Sequence, residues 1–247
     1  MCTVTWEQSP GAYHLLFNRD EKKNRAEAEP PQKRLYQGVD YLSPLDTEAG
    51  GTWLLTNVYG LTVCIVNRYP PDPLPQVHPF LSRGLLVTSC ASCKNLKEVD
   101  AQVRSFSHDS IKPFSLLALQ ADEQVCLWYW DSRQLSISKT PEEAFLTSSS
   151  YETANVEAYR HTTYQKWQRE QKPYASRPLV DFHYFHDANR GAYSICMQRD
   201  DAETQSIIEV KADLAQVKLS YAPKKKDQIA FEPQKNLSLS LKATSGN

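Results

Sequence analysis

The second residue of the chain, Cys2, carries a nucleophilic side chain where its own backbone could take part in catalysis. Removal of Met1 would leave Cys2 with both a thiol and a free α-amine. Because an α-amine titrates at about 7.7–8.0 and a thiol at about 8.5, the amine can act as base for its own side chain. The position of Cys2 therefore predicts nucleophilic acyl transfer.

A predicted hairpin at the start of the chain sets a charged group beside this thiol. Two runs with the alternation of strands flank a turn at residues 9–12. Counted outward from that turn, Cys2 lies opposite Arg19, whose guanidinium favours a thiolate and can hold a developing oxyanion. A bulge would shift the register by one residue and bring Asn18 or Asp20 to Cys2 instead.

Two other groups of residues have the types that bind metals. Cys90 and Cys93 form a C-x-x-C motif, but a structural zinc site needs a second pair, so two reduced thiols near the core are expected. His183 and His186 would share a face on a helix and could bind a metal, whereas on a strand they would face opposite ways. Their aromatic neighbours favour a loop at the mouth of a pocket. We therefore predict no metal and no cofactor.

The charge balance and the glycine content exclude several classes of function. The 247 residues include 28 Lys and Arg against 29 Asp and Glu, so no basic surplus points to nucleic acid. Of eight glycines only Gly50 and Gly51 are adjacent, which leaves no dinucleotide-binding or phosphate-binding loop. No run approaches the ~18 apolar residues of a membrane span, and no basic leader opens the chain. We expect a cytoplasmic protein with reduced thiols.

The order of predicted elements indicates an α+β fold built on antiparallel sheets. A charged run at residues 20–34 predicts an exposed loop, and five prolines within residues 70–79 exclude regular structure there. Strands are expected at 52–57, 61–67, 114–119, 125–130, 193–198, 205–210 and 216–221. Helices are expected near 82–90, 96–106 and 152–171.

Four short motifs follow one another along the chain. Residues 18–21 read Asn-Arg-Asp-Glu after the initial Met-Cys, and residues 50–54 read Gly-Gly-Thr-Trp-Leu. Asn67 and Pro70 follow the next strand. The fourth motif, at residues 194–204, begins with Ser-Ile-Cys-Met and continues with Arg199, Asp201, Ala202 and Thr204. Together these motifs resemble the NRDE family, which includes the transport and Golgi organization proteins. The similarity touches most of the chain up to about residue 222.

The resemblance implies a fold and a domain boundary. The NRDE family is similar to N-terminal nucleophile hydrolases, which have an αββα sandwich of two antiparallel sheets between helices. Its nearest enzymatic relatives are choloylglycine hydrolases and penicillin V acylases, which cleave linear amides. We expect a single domain at residues 1–222, followed by a loosely ordered tail at residues 223–247.

The resemblance also implies roles for individual residues. Carried over, it makes Cys2 the nucleophile, Arg19 and Asp20 its supporting charges, and Asn67 a donor in the oxyanion hole. Where the acylases have a second asparagine, this chain has Thr-Ser-Ser at residues 147–149, and a hydroxyl cannot copy the geometry of an amide. The expected substrate-binding residues are Asn18, Ser148, Ser149 and Arg190, the last as a distal arginine.

Two functions follow from these residues. The first is an N-terminal cysteine amidohydrolase or acyl-transfer enzyme whose partner is a small-molecule, non-peptide linear amide or acyl ligand. The alternative is a noncatalytic protein of the same fold that binds a lipid, an acyl-thioester or another hydrophobic cargo. Retention of Met1 would favour this alternative, because the α-amine base would then be absent. A third interpretation is an interaction adaptor built around the proline-rich residues 70–79.

Overall fold

Two antiparallel sheets form the middle of the molecule in the computed structural model, which describes residues 1–242 except 72–79, 122, 124, 140, 171–177, 226–229 and 233. Within this part of the chain, one sheet has six strands and the other seven. Side chains of both sheets meet in one core, and helices pack on the outer faces. The predicted α+β fold, an αββα sandwich, is confirmed.

The strands and helices are numbered in chain order. The strands are β1 (Cys2–Ser9), β2 (Ala12–Lys22), β3 (Glu29–Tyr36), β4 (Val39–Leu45), β5 (Leu54–Asn57), β6 (Thr62–Asn67), β7 (Phe114–Leu119), β8 (Cys126–Trp130), β9 (Leu135–Ser138), β10 (Phe145–Ser148), β11 (Ala202–Ala212), β12 (Gln216–Pro223) and β13 (Lys235–Ser240). The helices are α1 (Arg83–Ser89), α2 (Leu96–Ser105), α3 (Thr153–Glu170) and α4 (Pro178–Tyr184). The six-stranded sheet has the order β10-β1-β2-β11-β12-β13, and β3 to β9 follow one another in the other sheet.

The side chains of β1 alternate between two layers of the molecule. Cys2 and Val4 belong to the core between the sheets, whereas Thr3 points outward and accepts a hydrogen bond from Arg160 of α3. Both faces are covered, which is why the first five residues of the strand are buried without interruption. Neighbours in sequence therefore lie in different environments.

The register of the first hairpin is as predicted. Cys2 pairs directly with Arg19, and no shift interrupts the pairing of β1 with β2. On the other side of β1, Cys2 pairs with Ser148 of β10. The irregularity of this sheet lies instead between β2 and β11, where the register shifts between Thr204 and Ser206. Arg19, Cys2 and Ser148 thus form one row across three strands, with their side chains on the same face.

Most of the remaining elements lie where the sequence predicts them, but residues 193–198 do not form a strand. The helices α1, α2 and α3 and the strands β5 to β8, β11 and β12 match the predicted ranges to within a few residues. In residues 193–198 the N–H of Cys196 donates to the carbonyl of Phe185, and Ile195 packs among aromatic side chains. This segment is apolar because it packs over the outer face of the six-stranded sheet.

The expected exposed loop at residues 20–34 is also wrong at both of its ends, and residues 20–22 are the last residues of β2. Residues 29–36 form β3, the edge strand of the seven-stranded sheet, which pairs with β4. Pro30 and Pro31 lie where that register shifts, and an edge strand tolerates prolines because its outer N–H groups have no partner strand. The charged side chains of β3 face solvent at this edge.

The expected loosely ordered tail at residues 223–247 is wrong for residues 235–240. These residues form β13, which pairs with β12 and completes the six-stranded sheet. Leu237 and Leu239 alternate with polar residues along β13 and contact the core. This period of two is typical of a strand, but it is short and lies among polar residues. The last strand of the sheet therefore lies beyond the expected end of the domain.

Of the proline-rich segment at residues 70–79, residues 72–79 lie outside the part of the chain that the structure describes. No helix among the described residues is long and apolar enough to cross a membrane.

Candidate active site

A cavity of about 770 Å³ opens on the face of the six-stranded sheet that carries Cys2. Its wall comes from β1 and β2, from the end of β6, from the connection between β4 and β5, and from the start of α1. The residues that matter most for chemistry among those lining it are Cys2, Arg19, Trp53, Asn67 and Arg83. The structure thus brings the four predicted catalytic residues, Cys2, Arg19, Asp20 and Asn67, to the wall of one cavity.

The Cys2 side chain lies between Arg19 and Ser148 on its two neighbouring strands. The Ser148 hydroxyl is buried and has no hydrogen-bond partner among the described residues. A buried hydroxyl without a partner is costly, so a group that Ser148 can bind would be stabilised at this position. Ser148 therefore has a free donor in the row that contains the thiol.

Burial dominates the ionisation of the Cys2 thiol. It raises the pKa of Cys2 to about 11, although the charged amine of Met1 and the N–H of Asp20 oppose the shift. Arg19 makes a smaller contribution in the same lowering direction. With Met1 in place, Cys2 is therefore a neutral thiol near pH 7, and a thiol is a poor nucleophile.

The Arg19 side chain is held by neighbours other than Cys2. The guanidinium of Arg19 lies 4.4 Å from the centre of the Trp53 ring. Its Nη2 also lies 3.6 Å from Oε2 of Glu21 and 3.5 Å from Oδ2 of Asp46. Two carboxylates thus share its positive charge, and the stacked ring fixes its plane. The Arg19 guanidinium is therefore held in a fixed orientation, and its positive charge is largely balanced by these two carboxylates.

The carboxyl group of Asp20 lies on the opposite face of the sheet from the Cys2 thiol. Its Oδ1 accepts a hydrogen bond of 2.7 Å from the hydroxyl of Thr204. Its Oδ2 has no hydrogen-bond partner and lies 3.6 Å from Nη1 of Arg160. Burial raises the pKa of Asp20, and the positive charges of Arg160 and of the Met1 amine lower it in part.

Arg160 is a buried arginine on α3 that the sequence analysis did not select. Its Nη1 donates to the hydroxyls of Thr3 at 3.2 Å and Thr147 at 3.0 Å, and its Nη2 donates to the carbonyl of Ala192 at 2.7 Å. Burial lowers the pKa of Arg160, and the negative charge of Asp20 opposes that shift. Arg160 thus ties β1, β10 and α3 together behind the strand that carries the thiol.

A sequence signal for Arg160 does exist. It lies four residues after Val156 and four residues before Tyr164, both buried on α3. A charged residue in the middle of an apolar helical face has to find a buried partner. Arg190, the arginine that the sequence analysis did select, is exposed, with Nε 3.6 Å from the Asp187 carboxylate. The expected role of Arg190 in substrate binding is therefore not supported by its position.

Met1 is held by both its backbone and its side chain. Its amine donates to the Asp20 carbonyl at 3.2 Å and to the Tyr69 hydroxyl at 3.5 Å, and its carbonyl accepts from the Asp20 N–H at 3.1 Å. The Ser149 hydroxyl oxygen lies 3.3 Å from Met1 Sδ. Burial lowers the pKa of the Met1 amine, but the electrostatic effects of its acidic neighbours, Cys2 first among them, outweigh burial and raise that pKa overall.

Asn67 and Ser149 differ in how they relate to the cavity. Asn67 ends β6 and lines the cavity, where its Nδ2 donates to the Tyr69 hydroxyl at 3.4 Å. Ser149 is buried beside Met1, and its hydroxyl donates to the carbonyl of Tyr151 at 2.6 Å. Asn67 is therefore placed to donate into the cavity, whereas the hydroxyl of Ser149 is committed to neighbours in the chain.

Asn18 was expected to bind substrate, but it faces away from the thiol. Its Nδ2 donates to the carbonyls of His183 at 2.9 Å and Ile195 at 3.2 Å, and its Oδ1 lies 2.7 Å from Nδ1 of His183. All polar groups of the Asn18 side chain are thus used inside the protein. The physical reason is the alternation of β2, which sends Arg19 to the cavity and Asn18 to the outer layer.

His183 and His186 do not form the predicted aromatic loop at a pocket mouth. His183 lies in α4 and is buried, with Nε2 2.7 Å from the Thr5 hydroxyl. Burial lowers the pKa of His183 to about 3, so it is neutral and can donate to Asn18 from Nδ1. Nδ1 of His186 lies 2.8 Å from the Cys196 carbonyl. Among the described residues, no three His, Cys, Asp or Glu side chains are grouped as metal ligands.

Comparison with known proteins identifies the family and the fold. The family model of Transport and Golgi organisation 2 matches residues 1–218. No curated protein sequence matches the chain. The solved structures that it resembles include three amide hydrolases of the N-terminal nucleophile fold.

Each of the three covers most of both chains. A variant of conjugated bile acid hydrolase from Clostridium perfringens is 10% identical, with a TM-score of 0.57 over 99% of this chain and 100% of that one. Penicillin V acylase from Agrobacterium tumefaciens is 12% identical, with a TM-score of 0.54 over 91% and 84%. The Caenorhabditis elegans ortholog of N-acylethanolamine-hydrolyzing acid amidase is 8% identical, with a TM-score of 0.56 over 85% and 92%. At such identities the similarity establishes the fold.

Proposed function

Because this chain belongs to the Transport and Golgi organisation 2 family and has the N-terminal nucleophile hydrolase fold, we propose that it is a cysteine amidohydrolase. Its substrate is a non-peptide linear amide, and its nucleophile is Cys2. The observation that carries the proposal is the placement of the Cys2 thiol in a cavity, in one row with Arg19 and Ser148. Six free, buried cysteines fit a reducing compartment such as the cytoplasm.

The proposed reaction begins once Met1 has been removed. The α-amine of Cys2 accepts the thiol proton, and Sγ attacks the acyl carbon of the amide. The C–N bond then breaks, the amine leaves with that proton, and the acyl group remains on Cys2 as a thioester. Water hydrolyses the thioester, which releases a carboxylic acid and restores the thiol. No oxidant or cofactor is needed for this sequence.

Donors around Cys2 supply the stabilisation that the tetrahedral oxyanion needs. Asn67 lines the cavity with an amide, and Ser148 has a buried hydroxyl without a partner. The Asp20 N–H, which donates to the Met1 carbonyl while Met1 is present, becomes free when Met1 leaves. The proposal assigns the oxyanion to Asn67, with Ser148 in the place of a second amide.

The carboxyl group of Asp20 positions the new α-amine in this scheme. Its Oδ2 has no hydrogen-bond partner, and the positive charge of the Met1 amine already lowers the pKa of Asp20. Thr204 and Arg160 hold the carboxyl group in place from the outer layer. A free α-amine on Cys2 would therefore find an acceptor that is already oriented.

A second candidate function is favoured by the way Met1 is held. While Met1 remains, the nitrogen of Cys2 belongs to a peptide bond and the pKa of the thiol is about 11. In that form the chain would be a binding protein for a lipid, an acyl-thioester or another hydrophobic cargo. The intact mass of the purified protein decides between the two, because loss of Met1 supports the enzyme and retention supports the binding protein.

Activity measurements test the enzyme directly. Hydrolysis of a panel of linear acyl amides by the processed chain should fall roughly 100-fold or more in Cys2→Ser, since the hydroxyl is much harder to ionise than the thiol. Arg19→Ala should also lose activity. Cys126→Ser, on β8 of the other sheet, is the matched control and should keep it. Full retention of hydrolysis in both Cys2→Ser and Arg19→Ala contradicts the proposal.

A further inference from the structure

The charged side chains that line the cavity fall into two groups. In the first group each arginine has carboxylate partners. Nη2 of Arg25 lies 2.8 Å from Oδ2 of Asp46, and Nε of Arg25 lies 3.7 Å from Oε2 of Glu21. Arg19 shares these same two carboxylates. Their charges are therefore balanced inside the protein, and this end of the cavity offers little net charge to a ligand.

The second group is basic and consists of Arg83 and Lys112. Neither side chain has a carboxylate within 4.0 Å among the described residues, although both line the cavity. Nη1 of Arg83 donates to the carbonyl of Pro113 at 2.9 Å, and Nζ of Lys112 lies 5.3 Å from the centre of the Phe80 ring. Arg83 is half-buried, where an unpaired charge is costly.

The backbone around Arg83 packs closely on Gly51, which also lines the cavity. Gly84 packs so closely on Gly51 that a Cβ atom on Gly51 would lie 2.5 Å from the Gly84 carbonyl carbon. The Ser82 hydroxyl accepts a hydrogen bond from the Gly84 N–H at 3.2 Å. The backbone of Arg83 is therefore rigid, and one guanidinium nitrogen is held by its hydrogen bond to the Pro113 carbonyl.

We propose that Arg83, assisted by Lys112 at the rim, binds an anionic group of the substrate, so that the preferred linear amides carry a carboxylate or a phosphate. This inference rests on the proposed function and specifies its substrate class. Nε and Nη2 of Arg83 make no hydrogen bond within the described part of the chain, so a fork of two donors is available. Cys2 and Arg83 line one cavity, which places the anionic group on the same molecule as the scissile amide.

Binding to the full-length Cys2→Ala variant tests this inference without any turnover. Three ligands share one acyl chain: N-dodecanoylglycine carries a carboxylate, N-dodecanoylethanolamine is neutral, and its O-phosphate carries a phosphate. Calorimetry should show that at least one anionic ligand binds roughly tenfold or more tightly than the neutral one. The stronger of the two anionic ligands identifies the chemical class.

Variants then assign the effect to Arg83. Arg83→Met should remove the preference for the anion and leave the affinity for the neutral amide within about twofold, whereas Arg83→Lys should keep part of the preference. Arg104→Met, which removes an exposed arginine paired with Asp100 on α2, is the matched control and should change neither affinity. Thermal unfolding checks that each variant is folded.

Three results overturn the inference: equal binding of all three ligands, an equal loss for all ligands in Arg83→Met, or no binding of either anionic ligand. The proposed hydrolysis can fail separately. If the processed wild-type chain leaves all three amides intact while the anion preference and its loss in Arg83→Met are both observed, the anion site stands and the hydrolase does not.

Discussion

Arg160 on α3 and Asp20 on β2 form an ion pair behind the strand that carries Cys2, with Nη1 of Arg160 3.6 Å from Oδ2 of Asp20. Both side chains are fully buried, so water cannot replace either partner. Removal of one charge from a buried pair leaves the other uncompensated, which costs more than the pair itself contributes. This relationship makes the helix α3 part of the support for the site.

Arg160→Met should lower the free energy of unfolding by about 3–5 kcal/mol, because it leaves the Asp20 carboxyl without its charged neighbour. Urea denaturation followed by circular dichroism measures the change. Arg190→Met is the matched control, since the Arg190 guanidinium is exposed beside Asp187, and it should shift stability by less than about 0.5 kcal/mol. Similar losses in the two variants would contradict a stabilising role for the buried pair.

Alkylation of Cys2 should depend steeply on pH in protein that retains Met1. The pKa of Cys2 is raised to about 11, and the thiolate is the reactive form. Below that pKa the thiolate fraction rises about tenfold for each pH unit, so the labelling rate should keep rising from pH 8 to pH 10. Peptide mapping after iodoacetamide treatment measures it, with the buried Cys64 as the internal control. A plateau at pH 8–9 would contradict the raised pKa.

Acid should remove the stabilising effect of Glu209. The hydrogen bond from His14 lowers the pKa of Glu209 from 4.5 to about 2, so the folded state holds the charged form more strongly than the unfolded state does. The stabilisation is therefore complete above the unfolded pKa and is lost as pH falls from 4.5 towards 2. Glu209→Gln should be less stable than wild type at pH 6, and the difference should shrink by pH 2.5 in urea titrations. An unchanged difference would contradict the lowered pKa.

Gly51→Ala should disturb the start of α1 and with it Arg83. The new Cβ atom would lie 2.5 Å from the backbone of Gly84, and neither backbone can move without shifting the cavity wall. Overpacking of this kind costs typically about 1–3 kcal/mol, which urea denaturation can measure. Thr162→Ala, at an exposed position of α3, should stay within about 0.5 kcal/mol. Equal stability of both variants would show that the two segments separate easily.

The sequence by itself determined the first hairpin. A tight turn and a period of two favour the pairing of Cys2 with Arg19, and the structure showed that no bulge shifts that register. The same alternation excludes Asn18 from the thiol's face, since adjacent residues on a strand point to opposite sides. Once the structure shows that β1 and β2 pair without a bulge, Asn18 is rejected, because Cys2 and Asn18 cannot both face the cavity in that register.

The motifs also sufficed for the family and the general fold, but the boundaries of the sheets did not follow from local pattern. Residues 235–240 complete the six-stranded sheet, although charged and serine-rich neighbours suggest a tail. Their two inward leucines can be buried only because the edge of β12 is available for pairing. Strand formation at such a position is decided by a partner that lies close in space.

The tertiary structure alone decided which side chains support Cys2. Arg160 meets Asp20 because α3 packs on the outer face of the six-stranded sheet, and Ser148 joins the row of Cys2 because β10 pairs with β1. These contacts join residues more than a hundred positions apart, and no local periodicity encodes them. Arg19 shows the same limit, since its charge is shared by Asp46 from the connection between β4 and β5. Local pattern fixes where a side chain points, and long-range packing fixes what it meets there.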